Sequence, residues 1–233
     1  MPSELGPVVR RFGLARSVLG SLSLHSGPFA GVEVVATKTG IGTERATQAT
    51  TNLLDATRHD HGPSDHGGLD HVMVVGIAGG IGDSKVGDLV LPAVVRDHAS
   101  DREYRSSPLH GRAAGTIVTS DEFLIAPDLV ARLVGEGVVA LDMETSAVGA
   151  VCEARGVAWS AVRAISDRAD DYTDDAVLGL ANPDGSPNLA AALRYMLRHP
   201  GRVPRLARLA RDSKAAAVAA ADEAASQIEQ LGC

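Results

Sequence analysis

The sequence predicts an α/β protein, with a sheet buried on both faces and helices packed outside it. Three observations carry this. Near-continuous apolar runs such as HVMVVGIAGG (71–80) suit strands covered on both sides. Helical patterns lie between such runs. Glycines or acidic residues close several runs, at the carboxyl ends of strands, where open α/β sheets collect ligands.

In chain order, GVEVVAT (31–37) predicts a strand, and KTGIGTERATQATTNLLDA a glycine turn opening a helix. HVMVVGIAGG is a strand ending in glycines. VGDLVLPAVVRD (86–97) is a further strand or pair, and GTIVTSDEF (115–123) another. GVVALDME (137–144) runs into a helix from about Thr145, in which Ala147, Val148, Val151 and Cys152 form one apolar stripe. GVAWSAVRAISD (156–167) is a strand followed by a loop. RHDHGPSDHGGLDH (58–71) reads as an exposed polar loop, and no helix face orders its histidines, so no metal site is expected there. After Pro187 the composition is helical, with breaks expected near Pro200 and Pro204. Arg205, Arg208 and Arg211 form a basic stripe, read as a solvated face or, alternatively, as a contact for an anionic surface or a partner subunit. The whole of 1–233 is expected to be one domain, with an Arg-rich helical insertion at about 180–210 before the final helix.

Composition narrows the function. The chain is 45% hydrophobic and 22% charged, as ordinary globular proteins are. A net charge of −7 argues against nucleic-acid binding, which wants a basic footprint. No apolar run reaches the roughly 18 residues of a membrane span, and no signal-peptide core is visible. A cytoplasmic protein is therefore expected. Cys152 and Cys233 lack metal-ligand spacing, and Cys152 is expected in the core.

GIAGGIG (76–82) invites a dinucleotide-binding reading, but its glycines miss the G-x-G-x-x-G spacing and DSKVGDLVLP after it reads as turn and strand, not helix. No phosphate-binding G-x-x-x-x-G-K-[ST] occurs. Each glycine run alone reads as a tight turn. Two of them together with Glu144 and Asp167 favour a pocket where a small ligand approaches the backbone.

MPSELGPV, TGIGTERATQATTNLL, GIAGGIGDSKVGDLVLP and, above all, LDMETSAVGAVCEARGVAWSAVRAISDRAD together resemble the nucleoside phosphorylase/nucleosidase superfamily. The nearest branch is the 5′-methylthioadenosine/S-adenosylhomocysteine nucleosidases. The likeness covers most of residues 1 to 175 and the final helix. It implies a central mixed, twisted sheet flanked by helices, with a helical C-terminal extension. It implies a purine nucleoside as ligand, a place in methionine salvage, no cofactor, no metal, and a homodimer or higher homo-oligomer.

Residue by residue, the resemblance makes Asp167 the general acid that protonates purine N7. Met143 and Glu144 become the ribose site, and Arg163 the group near the attacking water or phosphate. Phe123 becomes the aromatic that stacks on the base, with backbone near Leu124 reading the base edge. Ile77, Ala78 and Gly79 become the glycine-rich wall of the site, and Glu4 the acid that activates water. The chemistry suits these types. A leaving purine is a poor anion, and a positioned carboxylic acid contributes roughly 10²–10⁴-fold. Burial can keep its proton in place near neutral pH. An ionised Glu144 would stabilise the positive sugar. By analogy with inverting glycosidases, the Glu4 and Asp167 carboxyls should stand on the order of 6.5–9.5 Å apart. The alternative roles are a loop cap for Asp167, a helix-start acid for Glu144 and for Glu4, and a structural ion pair for Arg163.

The sequence departs from the family in three places. Met1 already lies at the Glu4 motif, which the family precedes with a strand, so either the start is set late or the sheet lacks that strand. Ile77 replaces a serine whose hydroxyl contacts ribose or nucleophile. The Arg-rich segment could cover the 5′ side of the pocket. Hydrolysis is expected, because phosphate wants more than one arginine and Glu4 would repel it. A phosphorylase is the second reading and a nucleoside-binding protein without turnover the third.

Overall fold

The computed structural model describes residues 2–20, 22–59, 68–124, 126–168, 201 and 203–232. The chain runs α1 (Pro2–Phe12), β1 (Ala15–Leu19), β2 (Leu22–Phe29), β3 (Val32–Ala36), α2 (Thr43–His59), β4 (His71–Gly80), β5 (Leu89–Val90), β6 (Val94–Asp97) and β7 (Glu103–Arg105). It continues through β8 (Thr116–Thr119), α3 (Pro127–Gly135), β9 (Val138–Asp142), α4 (Thr145–Arg155), β10 (Ala158–Arg168) and α5 (Val203–Glu229).

The strands form an antiparallel sheet β1-β2-β3 and a seven-stranded sheet in the order β5-β10-β4-β9-β8-β6-β7. The larger sheet is mixed, as expected. β10 runs parallel to β4, and β6, β8 and β9 are mutually parallel, while β5 and β7 are antiparallel edges.

β10 shows why the strands read as apolar runs. Val162 and Ala164 face α5 and pack with Ala216 and Ala220. Trp159 and Ala161 face the other way and pack with Val148 and Cys152 of α4. Both faces are covered, so both parities must be apolar or small. Cys152 is core, and burial pushes its thiol pKa up to about 12. α5 lies close to the sheet because its inner stripe is alanine: Ala216, Ala220 and Ala224 are each 2% exposed or less.

One expectation changes. Pro204 does not break the final helix but sits in its first turn, where a missing N–H is tolerated. Arg205, Arg208 and Arg211 fall on this helix. Pro200, Cys233, residues 180–200 of the expected insertion and the His-rich residues 60–67 lie outside the described residues.

The sheet also has a gap. Among the described residues β3 pairs only with β2, and β4 meets β9 only at Gly79 and Gly80. Between the two edges lies a cavity of about 920 Å³, bordered by Val34, Val35 and Ala36 on one side and Met73, Val74 and Val75 on the other. Consecutive residues of a strand point to opposite faces, so both strands meet this cavity edge-on. It extends to Glu4, Glu144 and Arg163.

Candidate active site

Arg163 occupies the middle of β10 at 2% exposure. A buried charge must be paired and hydrogen-bonded to be tolerated, and its surroundings supply this. Its register neighbour on β4 is Gly76. The guanidinium crosses the space a side chain there would take: a Cβ on Gly76 would lie 2.4 Å from Arg163 Nη1 and 2.3 Å from Glu4 Oε1. Arg163 Nη2 is 2.7 Å from Asp142 Oδ2 and donates to Thr145 Oγ1 at 2.7 Å. Arg163 also lies 3.6 Å from Glu144 Oε2 and 3.9 Å from Glu4 Oε1. Burial works against the charge on Arg163, but Asp142, Glu144 and Glu4 outweigh it and hold the pKa above the ordinary value.

The three carboxylates come from three places. Glu4 is on α1 and is 8% exposed, so it is not a solvated helix-start acid. It accepts the Ile77 N–H at 2.9 Å. Asp142 ends β9 and accepts from Thr119 Oγ1 at 2.6 Å and from the Thr145 hydroxyl. Glu144 precedes α4 but makes no side-chain cap for it. It accepts the Gly42 N–H at 3.2 Å, which ties the TGIG turn to the start of α4. Burial first, then the negative Asp142 and Glu4, push its pKa up to about 7, against the pull of Arg163 and of the Gly42 N–H.

Asp167 follows a register shift between Ile165 and Asp167 that re-aims the end of β10. It pairs with Gly79, whose added Cβ would lie 3.6 Å from Asp167 Oδ2, and it accepts from the Ser166 hydroxyl.

Other expected residues divide differently. Ile77 holds Glu4 through its backbone, while its side chain packs toward Val162, Ala164 and Ala216. Ala78 packs with Ile117 and Ile165, and Leu124 with Ile81, Val118 and Leu133, so both side chains are core and only their backbones remain for a ligand. Phe123 follows β8 with 48% of its surface exposed. Met143 sits between Asp142 and Glu144, partly buried.

Asp142, Thr145 and Asp121 were not anticipated. Asp121 accepts the Thr43 N–H at 2.7 Å and its hydroxyl at 2.5 Å, tying the TGIG turn to the segment that carries Phe123. Asp142 had a readable signal: β9 is buried at every second residue, Val138, Ala140 and Asp142, so alternation alone aims that acid inward. Among the described residues no His/Cys/Asp/Glu cluster could hold a metal ion, and no helix is long and apolar enough to cross a membrane.

The chain matches the family described as the Phosphorylase superfamily over residues 1–133 and 108–198. It is 33% identical over 184 residues to a 5′-methylthioadenosine/S-adenosylhomocysteine nucleosidase of Bacillus licheniformis, covering 65% of this chain and 75% of that one. It is 32% identical over 191 residues to the protein of that name from Bacillus velezensis, covering 68% and 78%. Among solved structures, a Helicobacter pylori MTAN mutant with 5′-methylthioadenosine in the active site superposes with a TM-score of 0.69 at 20% identity, over 99% of this chain and 95% of that one. Futalosine hydrolase of Helicobacter pylori gives 0.69 at 21% identity, over 99% and 94%. These structural likenesses establish the shared fold.

Proposed function

The chain belongs to the phosphorylase superfamily, and on that premise we propose that it hydrolyses the N-glycosidic bond of a 5′-modified purine nucleoside and releases the base. One observation carries this reading. Glu4 and Glu144, distant in sequence, meet at a single buried guanidinium on β10, the strand that also carries Asp167 and that pairs with the glycine strand β4. The nucleosidase names of the relatives support the reaction class.

Asp167 gives its proton to purine N7 as the C1′–N9 bond breaks. Glu144 accepts from the ribose 2′- and 3′-hydroxyls, with Met143 beside the sugar, and as a carboxylate it stabilises the oxocarbenium-like sugar. Glu4 takes a proton from water as the water oxygen bonds to C1′, with Arg163 next to it. Phe123 stacks on the base, whose edge is read by backbone near Leu124, and Ile77, Ala78 and Gly79 form the wall beneath. The products are free base and free sugar, and solvent exchange restores Asp167 and Glu4.

Water is the nucleophile because of charge. Glu4, Asp142 and Glu144 surround one guanidinium, and a phosphate dianion entering that excess of carboxylate would be repelled. The 5′ group is read as methylthio, homocysteinyl or the larger substituent of a futalosine. The test is incubation with 5′-methylthioadenosine, adenosine, inosine and futalosine, with and without phosphate, followed by identification of the sugar. Free sugar at a phosphate-independent rate is expected. A sugar 1-phosphate would make the protein a phosphorylase, and tight binding without base release would make it a binding protein.

A further inference from the structure

Arg163 has three carboxylate neighbours at unequal distances: Asp142 at 2.7 Å, Glu144 at 3.6 Å and Glu4 at 3.9 Å. The nearest is the one furthest from any role in the reaction. Asp142 is 8% exposed and held by the hydroxyls of Thr119 and Thr145. Thr145 grips the other partner too, accepting from Nε at 3.1 Å and Nη2 at 2.7 Å of Arg163. Asp142, Thr145 and Arg163 therefore form a closed unit whose geometry does not depend on Glu144. Glu144 is left at ion-pair range but outside hydrogen-bond range of the guanidinium, with the Gly42 N–H on its other oxygen.

We propose that Asp142 is a positioning residue: by serving as the direct counter-ion of Arg163 it keeps the charge of Glu144 from being neutralised there, so that this charge acts on the sugar. The inference rests on the reading of Glu144 as the ribose carboxylate. A carboxylate locked to an arginine has its field cancelled at short range and its proton affinity lowered. One that stands off keeps both. Burial, then the negative Asp142 and Glu4, raise the pKa of Glu144 to about 7 against the pull of Arg163, so the charge that acts on the sugar is the one present above that pH. Among the described residues, those three side chains, from β9, α1 and β10, are the charged groups whose fields set the pKa of Glu144.

The experiment is Asp142→Asn, read in two ways. In the ligand-free protein, the Glu144 carboxyl is titrated by carbon-13 NMR. Losing the counter-ion should let Arg163 swing to Glu144, and the titration midpoint should fall by about one unit or more. With 5′-methylthioadenosine, the acidic limb of kcat/KM should move down in pH with it, and the plateau should fall about 10²-fold, as for a misplaced reacting group. Asp142→Glu, which restores the charge, should return the limb toward its original position. An unchanged Glu144 midpoint in folded Asp142→Asn overturns the proposal, whether or not the wild-type protein turns over, so this failure is separable from failure of the nucleosidase reading. If Asp142→Asn does not fold, Thr145→Val keeps the charge but undocks the guanidinium. The midpoint should then fall in the same direction by a smaller amount, and no movement overturns the proposal equally.

Discussion

Gly76→Ala isolates what the first glycine of GIAGG does. Its new Cβ would lie 2.3 Å from Glu4 Oε1 and 2.4 Å from Arg163 Nη1, against the 3.4 Å at which ordinary contact begins. Each atom must retreat by about 1 Å. Both are the tips of side chains, so the fold can yield, and an overpacked site of this kind costs about 1–3 kcal/mol. Activity has less room. The Arg163 tip is fixed by Asp142 and Thr145, so Glu4 takes most of the displacement, away from the Ile77 N–H that aims it. A misplacement of about 1 Å lowers rate by about 10²-fold. Steady-state release of base from 5′-methylthioadenosine, beside a urea titration, measures both. Repeating the substitution in a Glu4→Ala background should abolish most of the further loss, since the clashing partner is gone. A Gly76→Ala protein with wild-type kcat/KM would refute the placement of Glu4 and Arg163 at this glycine.

Asp167→Asn should lower kcat by about 10²–10⁴-fold with stability little changed, and retained turnover would remove Asp167 from the acid role. The ligand-free protein should lose stability as pH rises. Glu144 has its folded pKa raised from 4.5 to about 7, so its contribution is full below about 4.5 and is lost as pH climbs through 7. Urea midpoints across that window should fall in wild type and flatten in Glu144→Gln, and equal slopes in the two would contradict the assignment. Ile77→Ser should not raise kcat, because that side chain packs against Ala216 and not into the site. It should instead destabilise by about 1–3 kcal/mol through lost apolar burial, and a gain in kcat would show that the hydroxyl reaches the reaction.

What was legible in the sequence follows burial. β4 was readable to its ends because its apolar run and closing glycines mark both, and α4 because its stripe repeats at helical spacing. The β1–β2 hairpin was missed: ARSVL and LSLHSGPF mix serine, histidine and proline into half-exposed strands, so neither alternation nor an apolar run stands out. α3 has nine residues and was too short to show a period. At the site, the resemblance pointed to residue types with one chemical use, such as Asp167 and Glu144, whose roles are proposed above. It did not point to those whose use is relational. Ile77 looked like a lost hydroxyl because strand parity was not applied to it. Parity sends 77 to the α5 side with Met73 and Val75, and leaves Gly76 on the face where Glu4 and Arg163 meet.

The same parity explains why charged residues occur inside one of the most buried strands. On β10 every even position from Val162 to Ser166 is small or apolar, as α5 requires, while the odd position 163 looks toward the glycine of β4. An arginine is tolerated there only because three acids converge on it, and three acids are tolerated only because the arginine is there. Neither is an arrangement that core packing would select, since apolar replacements of similar volume commonly match or exceed a buried ion cluster in stability. Three acids stand against one guanidinium, so the cluster carries an excess of negative charge that is full once Glu144 is ionised, above about pH 7. An excess of negative charge, walled by backbone that glycine brings close, has its natural complement in a sugar that turns positive for the lifetime of a transition state.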